Sequence, residues 1–167
     1  MSSLSVERPG LTTNPIDLLE ELANANEWRG ERTTDHEMVV ELAGGWCDYR
    51  MFFAWHEDLG AVYFSCLFDL RIPARKRSTA LELLALINER LWLGHFEICG
   101  DELVPIYRHT ILLRGAGDAS VEKLEELVDI ALTECERFYP AFQFMLWGGH
   151  TPRAALDAAM LETVGEA

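Results

Sequence analysis

The chain has 167 residues, 49% hydrophobic and 25% charged, the size and composition of one ordinary globular domain able to bury a sizeable core. Its 14 lysines and arginines stand against 28 aspartates and glutamates, and the formal net charge of -14 repels a phosphate backbone, which argues against nucleic acid as a partner. No stretch approaches the roughly 18 uninterrupted apolar residues that cross a bilayer, so no membrane association is expected; the first residues contain no apolar export segment, and Cys47, Cys66, Cys99 and Cys135 lack CxxC spacing, so the expected setting is cytoplasmic with reduced thiols.

Residues 1–13 are polar, without periodicity, and are expected to form a flexible leader before a single domain over 14–167. Asn14 suits an N-cap, Pro15 the first helical position and Asp17 the positive end of the dipole, with Ile16, Leu19, Leu22 and Ala23 on one face of a short amphipathic helix. Strand-like segments follow at 28–32, 37–42, 48–55 and 61–70, the last alternating Val62, Phe64, Cys66, Phe68 and Leu70. The breaks at 33–35, at Gly44 and Gly45, and at 57–60 are turn chemistry, and their shortness implies antiparallel neighbours.

After Pro73 the spacing predicts a helix over 78–92, stopped by Gly94, with Ala80, Leu84, Ile87 and Leu91 facing a sheet and Leu81, Leu86 and Trp92 widening the apolar stripe beyond one buried face. Strands over 95–99 and 103–113 are expected around a Gly100–Asp101 turn. RGAGDAS then leads to a helix over 120–138 with Val121, Leu124, Leu127, Val128, Ala131, Leu132, Cys135 and Phe138 inward. Pro140 is expected to break it, leaving PAFQFMLW as a compact aromatic segment before a final helix from Pro152 to about 163. This order predicts an α+β domain, an antiparallel sheet flanked by helices.

Catalytic spacing is missing from the sequence. His36, His56, His95, His109 and His150 form no HExxH or Cys/His ligand pattern, and no GxSxG elbow accompanies the cysteines, so no catalytic, cofactor or metal residue is assigned. RGAGDAS lacks the lysine of a phosphate loop, and Ser120 is better explained as an N-cap. Arg71, Arg75, Lys76 and Arg77 are too few for a nucleic-acid footprint and are expected to solvate a loop. Trp46, Trp55, Trp92, Phe142, Phe144 and Trp147, by contrast, are more aromatic surface than a small core readily hides, which points to a binding or dimer patch.

The run LINERLWLGHFEI at 86–98 resembles the YbjN family of bacterial sensory transduction regulators. The resemblance extends to NPIDLLEELANANEW at 14–28, FDLRIP at 68–73, RHTILLRG at 108–115, CERFYPAFQFMLWGG at 135–149 and MLETVGEA at 160–167. It implies a type III secretion chaperone-like fold, a homodimer, a protein client in place of a substrate, and no enzymatic motif to carry over. The expectation is a non-enzymatic, cytoplasmic interaction or chaperone-like regulatory module without cofactor. Its candidate partner or dimer surface is Leu86, Trp92, His95, Phe142 and Trp147. The alternative is a ligand sensor or enzyme with a pocket near His95 or His109.

Overall fold

A computed structural model of the chain describes residues 14–113 and 119–165; the expected leader and most of RGAGDAS lie outside them. Helix α1 runs Pro15–Ala25. The Asn14 side chain accepts the Ile16 amide at 3.0 Å, and Ile16, Leu19, Leu22 and Ala23 are buried. Strands β1 (Arg29–Thr34), β2 (Glu37–Ala43), β3 (Asp48–His56) and β4 (Ala61–Leu67) form an antiparallel meander. After a short 3-10 turn come α2 (Arg77–Asn88), β5 (His95–Ile98), β6 (Pro105–Leu112), α3 (Val121–Leu146) and α4 (Pro152–Gly165). The sheet order β1-β2-β3-β4-β6-β5 is antiparallel throughout, as the short connections required.

Strand alternation sorts the sheet into two unlike faces. On the inner face Val40, Met51, Cys66, Tyr107 and Phe96 stand opposite one another across five strands, all at most 2% exposed. Phe68, just past β4, packs on Tyr49, Phe96, Tyr139 and Phe142, tying β3 and β5 to α3. The helices pack on this face, and α4 rests on α2 and α3. That helix packs beside α2, where Ala80, Leu83, Leu84 and Ile87 are buried, while Leu81 of the wide apolar stripe stays 41% exposed.

Three expectations need correction. Pro140 does not end α3, which continues to Leu146. The ring removes one backbone donor, a cost of about 3 kcal/mol in a helix interior. Yet Phe138, Ala141, Phe142 and Met145 keep helical spacing and are at most 1% exposed, and each large side chain returns about 1.5–3 kcal/mol on burial. The core therefore outweighs the proline.

Helix α2 ends at Asn88, four residues before Trp92. The Asn88 side chain donates to the Phe96 carbonyl at 3.1 Å and accepts its amide at 2.7 Å, fastening the helix end to β5. Gly94 is therefore no helix cap. It has φ +69°, and a Cβ there would lie 2.4 Å from the Tyr107 hydroxyl and 2.9 Å from the Arg108 carbonyl, which only glycine allows.

The hairpin turn between β5 and β6 is longer than Gly100–Asp101. Leu103 adopts φ +54° and donates to the Cys99 carbonyl, so pairing resumes only where the Cys99 amide donates to the Val104 carbonyl at 2.9 Å, and β6 begins at Pro105.

Candidate functional site

The five candidate surface residues do not form one patch. Phe142 is wholly buried among Phe68 and Phe96 and is withdrawn from the surface: the continuation of α3 past Pro140 turns it into the core. Leu86 is half-buried against the core cluster. Trp92 is 99% exposed just beyond α2, whereas Trp147, 68% exposed, caps α3 near the start of α2. Lys76 marks that second place, because its ammonium donates to the Met145 and Leu146 carbonyls at 3.1 and 2.9 Å. The length of α2, about 18 Å, thus separates the two tryptophans. Lys76 also serves a helix C-terminus, where a cation is favoured, and does more than solvate a loop.

His95 lies on the outer face, which no described element covers. Its Nε2 is 2.7 Å from Glu97, whose other oxygen pairs with Arg108 at 3.1 Å. The Arg108 guanidinium sits 5.0 Å above the Tyr63 ring, and Tyr63 meets Phe52 edge-on at 6.2 Å between centroids. This row runs from β5 to β3, and Val39 stands opposite Phe52 to continue it into β2. The result is a half-buried aromatic and aliphatic strip, with Arg50, Glu37 and Glu41 also on this face. His95 is held in this strip by its hydrogen bond to Glu97.

His109 points to the opposite face, because it follows Arg108 by one residue on β6. The pocket expected near His95 or His109 is lined by His109. It holds about 370 Å³ at the border of β6 and α3, between Leu93, Ile111, Leu113, Leu127 and Ile130, with Lys123 and Glu126 at its polar side. Burial, helped by the nearby His95, lowers the His109 pKa below its ordinary value and favours the neutral ring. A second groove of about 570 Å³ lies between Trp46 and Glu136, Arg137, Pro140 and Glu162.

Among the described residues no three His, Cys, Asp or Glu side chains gather to hold a metal ion. Burial raises the thiol pKa of Cys47 and, further, of Cys135, which disfavours the nucleophilic thiolate. No described helix is long and apolar enough to cross a membrane.

Sequence reasoning missed the outer strip of Val39, Phe52, Tyr63 and Arg108. Its signal was available in the alternation of β3 and β4, whose second faces carry Phe52, Ala54 and Tyr63 where a solvated face would be polar.

The architecture defines an α+β domain whose helices crowd one face of an antiparallel sheet. The chain belongs to the YbjN family, described as "Putative bacterial sensory transduction regulator", whose model matches residues 15–144. Its fold is similar to the crystal structure of YbjN from E. coli, described as "a putative transcription regulator", at 9% identity and a TM-score of 0.52, covering 88% of this chain and 93% of that one. No curated protein matches the sequence.

Proposed function

We propose that this YbjN-family chain is a non-enzymatic, cytoplasmic protein-interaction module of chaperone-like, regulatory character that pairs with a second copy of itself. The observation that carries the proposal is the uncovered outer face, where Val39, Phe52, Ala54 and Tyr63 lie side by side with charged neighbours of both signs, Arg108, Glu97, Arg50 and Glu37, around them. A face that carries both signs of charge around an aromatic centre can complement itself across a two-fold axis. Light scattering on a size-exclusion column tests this. A dimer at micromolar concentration supports it, and a monomer there removes self-pairing.

A second reading, a ligand sensor, is favoured by the His109 pocket, whose size and mostly apolar lining with a few polar groups suit a small molecule. A thermal-shift screen with metals and metabolites tests it. A specific ligand raises the melting temperature by mass action, and a flat screen leaves this reading without support.

A further inference from the structure

We infer that the open edge of β6 is a docking strip for an extended basic peptide segment, which adds as a strand beside Thr110 and Leu112 and lodges an apolar side chain in the adjoining cavity. The inference rests on the protein-interaction function proposed above and gives it a place and a partner chemistry.

Backbone direction establishes the open edge. The Pro105 carbonyl accepts from Phe68 and the Leu113 amide donates to Gly60, so odd-numbered residues of β6 turn their amide groups toward β4. Even-numbered residues turn theirs the other way. Strand β5 meets them only through Ile106 and Arg108, where it begins at His95. Among the described residues, Thr110 and Leu112 therefore present peptide groups with no strand beside them, a template for one more strand.

The surroundings select what can add there. Inward of the edge lies the cavity of about 370 Å³ floored by Ile111, Leu127 and Ile130, and of its lining residues Leu93 and Leu112 are 48% and 61% exposed. A strand laid on this edge sends alternate side chains to the two faces, so one apolar side chain enters the cavity while its neighbours meet Leu112 outside. Along α3, Glu122, Glu126 and Asp129 are exposed and share a helix face at the cavity, with Lys123 the one cation among its lining residues. With the formal charge of -14, this bank favours lysine or arginine flanking the apolar anchor and repels an acidic segment.

The test uses the full chain and an end-blocked, fluorescein-labelled peptide of alternating lysine and valine, read by anisotropy. Saturable binding that is lost when glutamate replaces lysine, and that weakens about tenfold in Thr110→Pro, is expected, because proline deletes an edge amide that bonds no neighbouring strand. Glu126→Lys should weaken binding similarly without touching the edge, which keeps the test valid if Thr110→Pro folds poorly. Equal binding of the glutamate peptide, or binding unchanged in both variants, overturns the docking strip. A chain that dimerises in light scattering yet leaves the lysine peptide free also overturns it, while the interaction function survives.

Discussion

The Gly45 amide donates to the Glu136 carboxylate, joining the β2–β3 turn to the middle of α3 across 91 residues. Gly44 beside it is equally confined: a Cβ there would lie 2.3 Å from both the Tyr49 ring and the Glu136 carboxylate. Gly44→Ala should therefore destabilise the fold by about 1–3 kcal/mol, the usual cost of overpacking. Glu136→Ala should cost about 0.5–1.5 kcal/mol, the net worth of one hydrogen bond, because the exposed Gly45 amide can turn to water. Urea denaturation measures both, and wild-type midpoints in both variants would show that the turn does not depend on α3.

The double glycine was legible as a turn, but not its reason. Turn chemistry is local, whereas the carboxylate that occupies the space above Gly44 arrives from α3. The same limit explains Pro140. Its helix-breaking tendency is a property of one residue, while the burial of Phe138, Phe142 and Met145 that overrides it depends on the sheet beneath. The caps at Asn14 and Ser120 were readable because the Ile16 and Lys123 amides they accept lie two and three residues away. In the candidate surface, chemical type was legible and side was not. Trp92 and Phe142 are both aromatic residues at the end of an apolar run, yet one is 99% exposed and the other buried.

That contrast can be measured. Phe142→Ala should cost about 3–5 kcal/mol, as large-to-small changes in a packed core do. Trp92→Ala should stay within about 0.5 kcal/mol of wild type, since its side chain leaves nothing unfilled. Thermal or urea unfolding separates the two, and a large loss for Trp92→Ala would mean that the residue is packed in solution.

Tyr49 is fully buried, and among the described residues its hydroxyl has only the weakly accepting Cys47 thiol beside it in place of a full hydrogen-bond partner. Burial accordingly pushes its pKa far up. Tyr49→Phe keeps the ring against Phe68 and removes the poorly satisfied hydroxyl, so stability should hold or rise by up to about 1 kcal/mol. A loss of similar size would reveal a hydrogen bond to this hydroxyl.

Two partly buried groups set opposing pH trends. His109 has a lowered pKa, so the unfolded chain takes up its proton first and stability falls as pH drops below the ordinary 6.5. His109→Gln should flatten that acid limb. Glu134 is held above its ordinary 4.5 by burial, and Arg137 at 3.8 Å offsets this only in part. The folded chain keeps that proton longer, so this group lowers stability as pH rises through 4.5 and beyond. Glu134→Gln should raise the melting temperature at pH 7 and not at pH 4. A gain of equal size at both pH values would assign the effect to packing.

Sedimentation equilibrium of the wild type and Phe52→Glu at micromolar concentration tests self-pairing through the outer face most directly. The wild type should sediment at twice the 18.9 kDa of one chain, and Phe52→Glu, still folded by circular dichroism, at 18.9 kDa, because a carboxylate at the centre of the strip cannot be buried against its own copy. A wild-type mass of 18.9 kDa throughout, or a variant that still pairs, would contradict it.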